Sequence, residues 1–317
     1  MQLTNAQIIA LSKMSGVGNA VLNKLIAQVN AMEGDEISTD DLYDLYLKHK
    51  VSMGKRTVIK GETLDALEKH IANSEIILDK ERELGIGVVS VQDLAYPPVL
   101  KKHLGKDAPA ILHYKGNLEA VHHQSVAITG HRETTKEVMA ESKFFSKYYA
   151  DHGFNIVSNL ARGCNTEAHL GALEVKGLTT AVLAGGLDTI APISNNALAS
   201  EIVNNNGLLL SEYEIGVPAV QYNFAKRDRI LAGLSSATLI IQSKLSGGSV
   251  IAARTTLQFG GNLFAVKLGD TTQTSLEQML KGSASPLQSH KHLTLSLGQY
   301  LSHENAHDLI KAIEAPG

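Results

Sequence analysis

Cysteine is almost missing from this chain. Its 317 residues include one, Cys164, so no intrachain disulfide can form, no thiolate cluster can hold zinc, and nothing points to an oxidising compartment. Charge of one sign is not in excess either: 29 Lys+Arg stand against 32 Asp+Glu, a formal net charge of −3. That balance excludes a protein that coats nucleic acid by bulk positive charge, while leaving room for a local basic patch. No stretch approaches the ~18 uninterrupted apolar residues of a membrane span. The first residues, MQLTNAQIIALSKMSG, lack the basic start and long apolar run of a secretory signal. These absences lead to the expectation of a cytoplasmic protein with no membrane partner. What is present is the composition of a folded protein, 44% hydrophobic and 19% charged, over a length that suggests two domains.

Residues 1–85 carry apolar positions at i, i+3, i+4 spacing in AQIIALSKM, AVLNKLIAQVNAM, TDDLYDLYLKH and ETLDALEKHIANSEIILDKERELG, which predicts a small all-α domain. Gly16-Val17-Gly18 has the form of a helix-hairpin-helix turn, but without a cation in the turn a plain inter-helix connection is the preferred reading. Residues 86–119, broken by Pro97, Pro98 and Pro109, read as a connector with a short strand or two, since the prolines forbid a continuous helix. Over 120–270, short β-branched apolar runs alternate with helical patterns. Six strands are expected at about 125–130, 154–158, 179–185, 207–211, 236–242 and 262–267. The prediction is an α/β fold, a Rossmann-like parallel sheet buried on both faces. The tail, 271–317, offers two short helix-like pieces and no full domain.

In an open parallel sheet, ligands bind beyond the carboxyl ends of the strands, where loops and helix N-termini present free N–H groups. The unusual residues fall there: Gly130-His131-Arg132 after the first strand, Ser158-Asn159-Leu160-Ala161-Arg162-Gly163 after the second, Gly185-Gly186-Leu187-Asp188 after the third, and Ser246-Gly247-Gly248-Ser249 after the fifth. Glycines admit an anion to the backbone, Ser249 can cap a helix, and Arg132 and Arg162 supply charge, so an anion-binding crest is expected. A second group, Asn223-Phe224-Ala225-Lys226-Arg227-Asp228-Arg229-Ile230, sets three cations in four residues beside an aromatic able to stack on a base. It is read as a nucleic-acid contact.

These residues also carry a family resemblance. SVAITGHR, SNLARGCNTEAHLGAL, TAVLAGGLD, NGLLLSEY, NFAKRDRILAGLS and GGSVIAAR resemble, in order, the motifs of the DNA-processing protein A (DprA/Smf) family. The resemblance implies an extended Rossmann fold, preceded by a sterile-alpha-motif-like domain, that binds single-stranded DNA, forms a homodimer and loads the RecA recombinase during natural transformation. Arg132 matches the arginine of the family's Gly-Ser-Arg turn, Arg162 and Gly163 its Ala-Arg-Gly turn, and Asn223, Phe224, Lys226, Arg227 and Arg229 its Asn-Phe-Pro-basic-basic-Asn-Arg segment. Five positions depart from that pattern: His131 for serine, Asn159 for glycine, Asn165 for aspartate, Ala225 for proline and Asp228 for asparagine. Asp228 is expected to add repulsion to a phosphate. The tail is too short for the winged helix that many members carry.

Two competing readings keep the fold. One is a nucleotide-sensing or antitoxin-like module that controls a genetically linked toxin or defence protein, for which the substituted motifs speak. The other is a nucleotide phosphoribohydrolase, for which the chain lacks the Pro-Gly-Gly-x-Gly-Thr turn. No cofactor, metal or catalytic group is expected. Thirteen histidines show no ligand spacing, Cys164 reads as a small buried residue, and His169 as a packing histidine bonded to the neighbouring loop. Glu167 and His169, two apart on a helix, face apart. Asp188 reads as a loop residue that binds backbone N–H groups. Glu212, placed near the topological switch point, is the strongest acid–base suspect.

Overall fold

The computed structural model describes residues 1–52, 63–243, 248–266, 268 and 300–315. It forms two compact units, Met1–Tyr96 with Leu104–Tyr114, and Pro97–His103 with Lys115–Gly317.

The first unit is built on four helices that begin where polar residues meet apolar periodicity: α1 (Asn5–Lys13), α2 (Asn19–Asn30), α3 (Thr39–Ser52) and α4 (Leu64–Glu83). Thr4 and Gln7 form a capping box at the start of α1, each side chain bonding the other's backbone N–H, which satisfies two orphan donors. Thr63 caps α4 by accepting from the N–H of Ala66. Leu11, Leu25, Leu42, Tyr46 and Leu67 fill the core, and the Tyr46 hydroxyl donates to Ser15 O at 3.1 Å. Strand β1 (Gly87–Ser90) pairs antiparallel with β2 (Ile111–Gly116).

The segment expected to be extended around Pro97 and Pro98 holds a helix, α5 (Pro98–Leu104). Pro98 stands at its first position, where proline's missing N–H costs nothing and its fixed φ is already helical. The prolines thus start a helix here.

The second unit carries the sheet: β3 (Ser125–Thr129), β4 (Asn155–Asn159), β5 (Thr179–Leu183), β6 (Leu208–Ser211), β7 (Ala237–Ile240), β8 (Asn262–Val266) and β9 (Tyr300–Leu301), in the order β6-β5-β4-β3-β7-β8-β9. All these pairings are parallel. Every residue of β3, β4, β5, β6 and β7 is buried, as expected for strands covered on both faces. The covering helices are α6 (Lys136–Asp151), α7 (Cys164–Glu174), α8 (Asn196–Asn204), α9 (Gln221–Gly233), α10 (Gly248–Gln258) and α11 (His307–Glu314). Phe145 and Tyr149 of α6 are wholly buried in the core, and the Tyr149 hydroxyl donates to Ala306 O at 3.0 Å, tying down the start of α11.

The first three crossovers run outward from β3 through β4 and β5 to β6, and the chain then returns to place β7 on the other side of β3. The order therefore reverses between β3 and β7, and loops diverge there to leave a crevice. Strand β8, expected over about 262–267, pairs through Ala265 and Val266 with β9. Residue 267 and most of the tail, 269–299, lie outside the described residues, as do Ser246 and Gly247 of the fifth strand's loop. No helix among the described residues is long and apolar enough to cross a membrane.

Candidate functional site

A cavity of about 370 Å³ opens above the β3/β7 switch point. Among its walls are Gly130, His131 and Arg132 after β3, Asn159 and Ala161 after β4, Phe224, Arg227 and Asp228 of α9, and Gly248 and Ser249 of α10. Its size falls within the roughly 300–1,000 Å³ of small-ligand sites.

Gly163 sets the turn on which the rim depends. It precedes α7 with φ 69° and ψ −129°, a conformation essentially closed to side chains. A Cβ there would meet the carbonyl oxygens of His131 and Arg132 at 2.7 Å. The β3 and β4 loops therefore rest on one another through backbone alone. Arg132 is exposed and makes no ion pair among the described residues, and Arg162 is exposed in the adjoining turn. The His131 ring folds back on its own loop, with Nδ1 2.6 Å from Glu133 O.

Several predicted contacts lie below the surface. Ser158 is fully buried; it donates to Ile128 O at 2.7 Å and accepts from Asn165 Nδ2 at 3.2 Å. Ser249 lies in the first turn of α10 rather than at its cap, its hydroxyl 2.8 Å from that of Ser243. Asn223 is buried and donates to Pro218 O at 3.2 Å.

The three cations of α9 take three different roles. Lys226 is half-buried, with Nζ 4.7 Å from the centroid of the Tyr222 ring. Arg227 is 6% exposed; its guanidinium stands 5.2 Å from the Phe224 ring centroid, and Nη2 lies 3.4 Å from Asp228 Oδ1. Arg229 points its Nη2 at both oxygens of Glu212, at 2.6 and 2.7 Å, in a largely buried pair. Of the three, Lys226 is the one left for an anion, since helical periodicity carries neighbouring positions to different faces.

Asp228, expected to repel phosphate, instead lies 2% exposed in the cavity floor. Asn159 Nδ2 donates to its Oδ1 at 2.7 Å. Burial raises the Asp228 pKa, while Arg227, the Asn159 bond and Arg132 pull it down; burial likewise lowers that of Arg227, and Asp228 pulls it back up. A buried carboxylate survives beside partners of this kind because the opposite charge and the amide offset its lost hydration. Asn159 is held from below: His169, fully buried with its pKa lowered to about 4 by desolvation, has Nε2 3.1 Å from Asn159 O and Nδ1 2.7 Å from Thr179 Oγ1. A neutral imidazole donating from Nε2 meets the Asn159 contact, and its Nδ1 competes with Ile156 O, 2.9 Å away, for the one Thr179 hydroxyl proton.

Of the acid–base suspects, His169, Asp188 and Glu212 are engaged. Asp188 accepts the Gly216 N–H at 3.1 Å through both oxygens. Glu212 follows β6, three strands from the switch point where it was placed, and is held by Arg229. Burial pushes the Cys164 thiol up to about 12, which leaves almost no nucleophilic thiolate at neutral pH. Among the described residues no three His, Cys, Asp or Glu side chains gather as metal ligands. Tyr222, 67% exposed beside Lys226, escaped the sequence reading although it immediately precedes the Asn223–Ile230 segment; an exposed aromatic next to a cation was the available signal.

The family model described as DNA recombination-mediator protein A matches residues 87–298. The chain belongs to the DNA recombination-mediator protein A family. It is 30% identical to the DNA processing protein DprA of Streptococcus pneumoniae, over 84% of this chain and 88% of that protein. It is 37% identical to protein Smf of Escherichia coli over 54% of this chain, and that match spans 45% of the Smf chain. Among solved structures it is similar to DprA of Streptococcus pneumoniae, with a TM-score of 0.72 at 27% identity over 90% of this chain and 95% of the other. It also resembles DprA of Helicobacter pylori, in a structure concerned with that protein's single-stranded DNA binding mode, with a TM-score of 0.57 at 26% identity over 71% and 94%. The family match covers the Rossmann-like sheet through β8.

Proposed function

We propose that this protein binds single-stranded DNA along the rim of the β3/β7 cavity and acts as a recombination mediator that delivers the strand to RecA. One observation carries this reading. The cavity is rimmed by Arg132 and adjoins the exposed Arg162 and the Lys226–Tyr222 pair, so phosphate-seeking cations stand beside aromatic faces. Cations that meet phosphates and rings that meet bases hold a single strand with little regard to sequence. A duplex hides its base faces and offers Tyr222 and Phe224 nothing to stack on. The engaged carboxylates Asp188, Glu212 and Asp228 favour a binding protein over a hydrolase, because general acid–base chemistry needs a group within reach of the reacting atom.

Titration of fluorescent oligonucleotides tests the strand preference: single strand is expected to bind more tightly than duplex of equal length, and the reverse order overturns the reading. The mediator step is tested by the rate of RecA assembly on a strand with and without the protein, where no acceleration refutes it. A homodimer is proposed on the family likeness alone; light scattering at micromolar concentration that gives one chain's mass refutes it.

A further inference from the structure

The cavity floor holds two polar atoms that no protein group satisfies among the described residues. Asn159 Oδ1 and Arg227 Nε are both buried without a hydrogen-bond partner, on residues only 3% and 6% exposed, and both residues line the cavity. Facing an ionised Asp228, which only accepts, the amide nitrogen of Asn159 points at Oδ1 and its amide oxygen is left over. The second carboxylate oxygen, Oδ2, lies against Gly248, where any Cβ would collide with it. Glycine at 248 therefore leaves the room that oxygen occupies, and no partner of Oδ2 is found among the described residues. Unsatisfied buried groups are costly, and a ligand that pairs with them recovers that cost.

The set is two acceptors, Asn159 Oδ1 and Asp228 Oδ2, beside one donor, Arg227 Nε. A metal cation is a poor match, because the charges of Arg227 and Arg132 both act on Asp228. A base edge matches well. Guanine presents two adjacent N–H donors, N1 and N2, followed by the O6 acceptor; adenine and cytosine present one exocyclic amine; thymine presents a single N–H between two carbonyls, which would face the acceptors and be repelled. The ring of Phe224 lines the same cavity and gives an inserted base a face to stack on.

We propose that the Asn159–Asp228–Arg227 floor is a guanine-reading subsite, so that an otherwise sequence-tolerant strand site prefers guanine at one position. The inference rests on the cavity being the strand site; the same edge chemistry would also take a free guanine nucleotide, and the test separates the two sources. Anisotropy is measured with labelled oligo-dT, the same oligomer carrying one central dG, dA or dC, and competing dGMP, dAMP, dCMP or dTMP. A single dG is expected to tighten binding about tenfold, the discrimination that a two-bond base-edge contact supplies, with dGMP the strongest competitor. Preference for dG in the strand without competition by dGMP assigns the subsite to the strand. Selective binding of dGMP with no strand binding at all keeps the guanine chemistry and overturns the strand reading. Equal affinity for all four bases in both formats overturns the subsite while leaving strand binding standing. The double variant Asn159→Gly, Asp228→Asn is expected to lose the dG over dT ratio; should it fail to fold, the ratios of the native protein still decide.

Discussion

Arg132 and Arg229 look alike in the sequence and should behave oppositely when each is replaced by alanine. Arg229 donates to both oxygens of Glu212 at 2.6 and 2.7 Å, with side-chain exposures of 19% and 13%. Its removal takes a bidentate opposite charge from a largely dry carboxylate. Breaking a fully buried pair costs about 3–5 kcal/mol; the residual exposure lets water recover part of that, leaving about 2 kcal/mol. At roughly 2–4 °C per kcal/mol for domains of this size, the thermal midpoint of Arg229→Ala should fall by roughly 4–8 °C. Arg132 is exposed without an ion pair among the described residues, so Arg132→Ala should leave the midpoint unchanged. It should instead weaken strand binding by about 1.5–3 kcal/mol, the range for a hydrogen bond to a charged group, which is about ten- to 150-fold. Calorimetry and strand titration on the same preparations read both quantities. An Arg229→Ala protein of native stability with most of its affinity lost, or an Arg132→Ala protein that melts early, would refute the division of the cations into structural and binding ones.

Gly163→Ala should destabilise the protein by roughly 1–3 kcal/mol, since its φ of 69° and the His131 and Arg132 carbonyls leave no room for a methyl group; urea denaturation that matches the native protein would contradict this. Cys164, buried with its pKa near 12, should resist alkylation at pH 7.5 and react only after denaturation, and rapid labelling of the native protein would show the thiol to be accessible. His169 should make stability acid-sensitive: unfolded histidine gains its proton near pH 6.5 and the folded one only near 4. The unfolded state therefore binds more protons between those values, and stability that is fully present above pH 6.5 falls as pH drops toward 4. A His169→Gln variant should show a shallower loss over that window in urea titrations, and an equal slope would refute it.

The parallel sheet was legible because strands buried on both faces are written as continuous apolar runs, and SVAIT, NIVSN and TTAVL stand out between helical patterns. The positions of Gly130, Arg132 and Gly163 were legible for a related reason: glycines and arginines cluster just after those runs, at the carboxyl ends of β3 and β4. What stayed hidden depends on pairing across long separations. Nothing local tells that Asn159 meets Asp228, 69 positions away, or that Arg229 is spent on Glu212. A run of cations read as one patch is divided by the helix into a half-buried, a buried and a paired member. Strand order is likewise invisible locally, so Glu212 was set at a switch point that lies between β3 and β7. The helix at Pro98 was missed because proline's veto applies inside a helix and lapses at its first position.

The central claim, that the cavity rim holds a single strand through phosphate contacts from Arg132, Arg162 and Lys226, is tested most directly by the salt dependence of oligonucleotide affinity. Each neutralised phosphate on a single strand contributes a slope of about −0.7 in log K against log salt, so three contacts predict a slope of about −2, with Lys226→Ala made shallower by about 0.7. A salt-independent affinity, or duplex bound more tightly than single strand across the series, would contradict the account.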